Sequence, residues 1–266
     1  PDGATPPPPP LNGTKPAHTI EIRDIYKSFG NSHILNGLSV DFKDDAITTV
    51  LGPSGTGKSV LLKHIVGLLE PDAGEVKVFG TDIWRVPENE RYELRKRFGV
   101  LFQDGALFGS MNLYDNVAFP LRKHTNKSEE EIRDIVMTNL AEVGLERAID
   151  KAPNEISGGM RKRAGFARAL VMRPDVVLFD EPDSGLDPVR TKLLSQLISK
   201  MHSEHGGTYI VITHDIPTAR EVSDYVAVIW KGKLVHYGDA DGAFGSENDF
   251  VRQFLAGAAE GPLGMD

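Results

Sequence analysis

Ile47-Thr48-Thr49-Val50-Leu51 runs straight into Gly52-Pro53-Ser54-Gly55-Thr56-Gly57-Lys58-Ser59, and this junction decides the fold. The first five residues form a near-continuous apolar run, as in a buried strand. The next eight match the phosphate-binding loop pattern Gly-x4-Gly-Lys-Ser in full. Leu61, Leu62, Ile65, Val66 and Leu69 then follow helical spacing. Strand, glycine-rich loop and helix is the order this chemistry requires. The loop lets backbone N–H groups converge on phosphates, and the helix N-terminus adds partial positive charge. Lys58 is placed to neutralise the β- and γ-phosphates, and Ser59 to offer its hydroxyl to Mg²⁺. The spacing therefore predicts binding of ATP or GTP.

A carboxylate is needed to complete such a site. Val176-Val177-Leu178-Phe179 reads as a second buried strand, and it ends at Asp180. With this strand next to that of Ile47–Leu51, Asp180 is expected to hold Mg²⁺, through water. Glu181 follows one residue later. Its side chain is expected to reach a water in line with the γ-phosphate, as general base or orienter.

Outward from these two strands, Ile20, Ile22, Leu38, Val40 and Phe42 alternate with polar residues, as in half-buried strands. Ser128 and Glu131 form a capping box ahead of a helical pattern (Ile132, Ile135, Val136, Leu140, Val143) that Gly144 can close. A second helix is expected from Gly158 to about Met172, stopped by Pro174. Tyr209–Ile212 reads as another buried strand, and Val226–Trp230 with Leu234–Tyr237 as a hairpin. The fold class is α/β with a helical insertion, at about 104–173. Residues 1–18 carry the run Pro6–Pro10, which favours polyproline II and cannot pack a core; they read as a tail. The folded domain is expected over 19–245, followed by a C-terminal extension over 246–266. In that extension Phe250, Val251, Phe254 and Leu255 form one apolar stripe on a short helix. The stripe suits packing on its own domain or a clasp on a partner.

Composition sets the outer limits. The 266 residues carry a net charge of −8, with 40% hydrophobic and 26% charged residues, which is ordinary for a globular chain. The mild acidity argues against nucleic acid as a partner. Without cysteine there is no disulfide framework or thiolate metal site. No stretch approaches the ~20 apolar residues of a membrane helix. A role at a membrane would come through a partner that spans it.

With these residues in place, the segment from Thr19 to Gly238 resembles the ABC ATPase family. Ser157-Gly158-Gly159-Met160 looks like its signature motif, which in ABC proteins meets the γ-phosphate of ATP held by the other subunit. Gln103 falls at the Q-loop glutamine, and Ser184-Gly185-Leu186-Asp187 at the D-loop that crosses the dimer interface. His214 matches the switch histidine, and Phe29 the aromatic that stacks on adenine. Met160, Gly185 and Phe29 stand where glutamine, alanine and tyrosine are commoner. The resemblance implies a P-loop NTPase core with an antiparallel β subdomain and an inserted helical subdomain. It also implies ATP and Mg²⁺ as cofactors. A head-to-tail homodimer would hold nucleotide at Phe29, Gly52 to Ser59, Ser157, Gly158, Gly159 and Asp187. Lys58, Gln103, Glu181 and His214 would carry catalysis, and Ser59, Gln103 and Asp180 the metal.

The segment from Gln103 to Val117, the Ser-Gly-Gly-Met variant and Val251-Arg252-Gln253-Phe254-Leu255 are similar to ATPases of MCE-type lipid transport systems. That implies permease and MCE partners, a peripheral position on the cytoplasmic face of the inner (plasma) membrane, and a lipid, fatty acid or sterol as cargo. A polar amino-acid importer is the alternative within the transporter class. Outside it, a mechanochemical ATPase of the SMC kind would separate Lys58 from Asp180 by a long coiled coil. A GTPase would need aspartate at Glu129. The basic run Arg161-Lys162-Arg163 reads as a solvated helix face, and Leu107, Phe108, Met111 and Leu113 as an apolar patch for a permease helix.

Overall fold

The computed structural model describes residues 18–258 and 260–262. The proline run and the last four residues lie outside the described residues. Strands β1 (Ile20–Phe29) and β2 (Ser32–Phe42) form a hairpin, with Ile22, Leu38, Val40 and Phe42 turned inward. The buried strand β3 (Ile47–Leu51) leads through the glycine-rich loop into α1 (Lys58–Ile65). β4 (Ala73–Val78) pairs antiparallel with β1, and the short β5 (Thr81–Asp82) closes this four-stranded sheet in the order β2-β1-β4-β5. Helix α2 (Glu88–Arg95) then leads to β6 (Phe98–Leu101).

Between β6 and the strand that follows lie three α-helices, α3 (Leu113–His124), α4 (Glu129–Glu142) and α5 (Gly158–Leu170), with a short 3-10 turn at Pro153–Glu155 before the last. The expected capping box is present on α4: the Ser128 hydroxyl accepts from the Glu131 amide, and the Ser128 amide donates to the Glu131 carboxylate at 2.8 Å. Leu113, expected in a surface patch, is fully buried at the first turn of α3. Asn112 caps that helix, so what reads as loop in the sequence becomes helix one residue later.

β7 (Val176–Asp180), α6 (Pro188–His205), β8 (Thr208–Ile212), α7 (Ile216–Val222) and the hairpin of β9 (Tyr225–Trp230) and β10 (Lys233–Asp239) complete the second sheet. Its order is β10-β9-β3-β8-β7-β6, parallel except for β10. The strand of Asp180 is therefore not beside β3, as expected; β8 lies between them. Both faces of this sheet are covered, which explains the unbroken apolar runs. Val176, Leu178, Ile210 and Ile212 pack toward α1 and the antiparallel sheet. Val177, Phe179, Tyr209 and Val211 pack toward the inserted helices and α6.

Helices α8 (Ala240–Phe244) and α9 (Asp249–Ala256) end the described chain. The apolar stripe of α9 packs on its own domain. Val251 and Leu255 are buried with Ala219, Val226, Val228 and Ala243, and the Phe250 ring lies 5.3 Å from that of Trp230.

Candidate active site

The loop between β3 and α1 is tightly threaded. Gly52 has φ 151, and a Cβ there would stand 2.2 Å from the Ile229 carbonyl oxygen; at Gly57, with φ 95, it would meet the Leu35 side chain at 2.8 Å. No larger residue fits at either point. Thr56 Oγ1 donates to the Pro53 carbonyl at 2.9 Å. Lys58 is only 5% exposed, and its ammonium donates to the carbonyls of Gly52 (2.8 Å) and Pro53 (2.9 Å). Burial pushes its pKa down, while Glu181 and Asp180 pull it back up. Helix α1 has neither a side-chain cap nor an acidic residue in its first turn. Its first N–H groups are thus left for an anion.

Asp180 sits at the end of β7, and Oδ1 accepts a 2.8 Å bond from Ser59 Oγ. The contact forms although β8 separates the strands, because α1 packs across to β7. Burial raises the Asp180 pKa, opposed by the Ser59 hydrogen bond and reinforced by the nearby Glu181 charge. Glu181 adopts φ 48, in the left-handed region, and its amide donates to the Ile212 carbonyl at 2.9 Å. Such a conformation in a non-glycine residue costs on the order of 1–3 kcal/mol and clusters at functional sites. His214 Nδ1 lies 3.7 Å from Glu181 Oε1. The histidine is flanked by fixed neighbours: Thr213 Oγ1 donates to the buried Asp183 at 2.9 Å and accepts from the Asp215 amide at 2.9 Å.

A cleft of about 330 Å³ lies along the phosphate-binding loop. It is lined by Phe29, Ser54, Gly55, Gly57, Lys58, Ser59 and Glu181, together with Ile34 and Val60. Phe29 is half exposed, and the Lys27 ammonium lies 5.7 Å from its ring centre. Gln103 does not point at the Ser59–Asp180 pair. Its amide donates to Ser184 Oγ at 3.0 Å.

Ser157, Gly158, Gly159 and Asp187 are not part of this cleft. Ser157 caps α5, accepting from the Met160 amide at 3.3 Å, and Asp187 caps α6, accepting from the Arg190 amide at 3.0 Å. Ser157 and Gly159 line a separate groove of about 490 Å³ with Leu186 and Arg190. The cleft and the groove are separate surfaces of one chain.

The basic run after Gly159 is not a solvated face. Arg161 donates to the Ile156 carbonyl at 3.0 Å and Arg163 to the Val143 carbonyl at 2.7 Å, while the Lys162 ammonium donates to the Ser184 carbonyl. Three consecutive helix positions spread over more than half the circumference, so they cannot share a face. Lys162 lies one turn before the fully buried Phe166, and this spacing could have marked it as inward-facing.

The sequence model of the ABC transporter family matches residues 35–184, more than half of the chain. The chain belongs to the ABC transporter family. As an ABC subunit it binds ATP and is an ATPase. It is 53% identical over 246 residues to the probable ribonucleotide transport ATP-binding protein mkl of Mycobacterium leprae, covering 92% of this chain and 71% of that one. It is 40% identical over 247 residues to the intermembrane phospholipid transport system ATP-binding protein MlaF of Escherichia coli K12, covering 93% and 92%. Among solved structures, the dimeric post-hydrolysis state of the ATP-binding cassette MJ0796, bound to ADP and Pi, superposes with a TM-score of 0.76 at 29% identity, covering 83% of this chain and 98% of that one. The cbiO1 subunit of the cbiONQ transporter from Clostridium perfringens gives 0.78 at 30% identity, covering 90% and 95%. These ABC folds agree with the α/β class, the antiparallel sheet and the helical content.

Proposed function

We propose that this ABC subunit powers an MCE-type lipid transport system, working as one half of a head-to-tail dimer at the cytoplasmic face of a membrane permease. The observation that carries the dimeric part is the division of the site. Phe29, the phosphate loop, Asp180, Glu181 and His214 share one region, whereas the exposed N-terminus of α5 faces elsewhere. ATP would lie with its adenine on Phe29 and its phosphates on the amides of Gly52 to Ser59. Ser157, Gly158, Gly159 and Asp187 of a second copy would close over the γ-phosphate. That MJ0796 is dimeric with ADP and Pi supports this arrangement.

Mg²⁺ fits the residues present. Ser59 Oγ and Asp180 Oδ1 are adjacent hard oxygens, and among the described residues no cluster of three or more His, Cys, Asp or Glu side chains forms a full cage. Mg²⁺ suits such a sparse set, because it keeps water and phosphate oxygens as its other ligands. When bound it neutralises charge on the phosphates. Lys58 leaves the carbonyls of Gly52 and Pro53 to meet the phosphates. Glu181 accepts the proton of the attacking water, and His214 holds its place beside Glu181. Gln103, now bonded to Ser184, would turn from that bond to join the metal's ligands.

The relatives' descriptions assign different cargo, ribonucleotide for mkl and phospholipid for MlaF. Lipid is favoured because the MlaF match covers nearly the whole of both chains. No helix among the described residues is long and apolar enough to cross a membrane. Phe108, 43% exposed, is the group we assign to the permease. Its backbone is held at both ends by the buried Asn116 side chain, which accepts from the Phe108 amide and donates to its carbonyl. Co-purification from native membranes should recover permease and MCE proteins. In the reconstituted complex, phospholipid should stimulate ATP hydrolysis. Stimulation by ribonucleotides instead would overturn the lipid reading.

A further inference from the structure

Lys162 is a buried cation that the ATP chemistry leaves unused. It is 6% exposed, on the inward face of α5, and its ammonium donates to the backbone carbonyl of Ser184. Burial lowers its pKa, while Asp183, Asp104 and Glu181 favour the charged form. Holding a charge out of water is costly unless it is paired. An apolar side chain would pack there without that cost, so the contact with Ser184 calls for an explanation.

Ser184 is gripped twice. Lys162 takes its carbonyl, and Gln103 Nε2 donates to its hydroxyl at 3.0 Å. Gln103 stands where the chain leaves the sheet after β6, and Lys162 stands on the helix by which it returns. These two points are locked together. Arg168 of α5 donates to the carbonyls of Gly105 (3.0 Å) and Ala106 (2.9 Å). A Cβ added at Gly165 would stand 2.9 Å from the Gly105 carbonyl oxygen, so the two backbones touch. The 103–106 turn and α5 are therefore bonded to each other, and Lys162 keeps hold of Ser184 when Gln103 turns away to the metal.

That residue is tied directly to the chemistry. The Ser184 amide donates to the Glu181 carbonyl at 3.2 Å, and the Leu186 amide to the Asp183 carbonyl at 3.1 Å. Asp187 then caps α6. Ser184 thus gives the inserted helices a polar link to Glu181 on one side and Asp187 on the other, beside the apolar contact of Phe166 with Phe179. We propose that Lys162 is a positioning residue for ATP hydrolysis: it latches the 183–187 loop to α5, so that Glu181 and Asp187 follow the helical insertion. This rests on the ATPase reading of the site, but it adds a mechanical role for a residue outside the nucleotide cleft.

The test uses the full chain and three variants. K162M removes the charge and the donor at similar volume. K162R keeps both. K162Q carries an amide that falls one bond short of the Ser184 carbonyl. Hydrogen exchange of the 181–190 segment is measured together with nucleotide affinity, kcat and KM. K162M should exchange faster over 183–187 and bind ATP within about twofold of wild type. Its kcat should fall roughly tenfold or more, the scale on which small misplacements act. K162R should restore most of both. If K162M does not fold, K162Q should show the same direction of change. Unchanged exchange and kcat in K162M or K162Q would overturn the latch. So would a K162R variant as defective as K162M, which would mean that only packing matters. A wild-type chain without hydrolysis would count against the ATPase reading instead, and exchange alone would then decide the latch.

Discussion

The two helix N-termini assigned to nucleotide in the proposed function, those of α1 and α5, are built in opposite ways. At α1 no side chain caps the first turn, and the helix start borders a cleft lined by Lys58, Ser59 and Glu181, with Asp180 bonded to Ser59. At α5 Ser157 caps the helix, and the groove beside it is lined by Glu142, Arg163 and Arg190 as well as by Lys162, which is committed to Ser184. The first end holds the charges needed to cleave a phosphate. The second presents a helix N-terminus, whose amides favour an anion. An anion bound at α1 would be open on the side that α5 of another copy can cover. On the proposed head-to-tail reading, each end is half of a site.

The largest expected effect lies at α1. Glu181→Gln should keep ATP affinity and lose turnover by roughly 10²–10⁴-fold, since the carboxamide cannot accept the proton. Phosphate release and nucleotide binding on the same preparation check this, and near-normal hydrolysis would remove Glu181 from its role. Next in size is coupling. Phe108→Glu should lower transport in the reconstituted complex roughly tenfold or more, as loss of an aromatic anchor worth about 2 kcal/mol implies. Basal ATPase activity of the isolated subunit should be retained; unimpaired transport would move the docking point elsewhere.

A smaller effect belongs to the C-terminus. Leu255 is buried on its own domain, so Leu255→Ala should cost about 2–3 kcal/mol of monomer stability and spare dimerisation. Thermal melts and association measured on one variant separate this from a clasp, in which association would weaken and the monomer melt would not change. The smallest effect is electrostatic. Burial raises the Asp180 pKa, so the native state holds that proton more tightly than the unfolded chain. Its contribution to stability is then fullest in acid and is lost as pH rises through the raised value. Asp180→Asn should therefore raise the melting temperature of the nucleotide-free chain by a few degrees at most near neutral pH, with the gain shrinking on acidification.

The α1 end was legible because everything that defines it is local. Glycine spacing, Lys58 and Ser59 sit within eight residues, between an apolar run and a helical pattern. The cap at Ser157 and the capping box at Ser128 are local for the same reason. What escaped was long-range. The insertion of β8 between β3 and β7 depends on strand order, which no short segment encodes. Leu113 read as surface because the loop before it hides the helix start at Asn112. Lys162 read as solvated because three adjacent charges suggest a face, although helical geometry separates them. The α9 stripe announced that it must pack, but its partner could be read only from the folded chain.

The claim that the two helix ends are halves of one site is tested most directly by mixing two dead variants. Lys58→Ala disables the α1 end, and Ser157→Arg blocks the α5 end while leaving nucleotide affinity of the isolated monomer unchanged. Neither should hydrolyse ATP alone. Combined in equal amounts, mixed dimers pair an intact α1 end with an intact α5 end, and roughly a quarter of wild-type turnover should return if the copies exchange freely. Absence of any recovery, with mixed dimers demonstrated in the same sample, would contradict head-to-tail pairing.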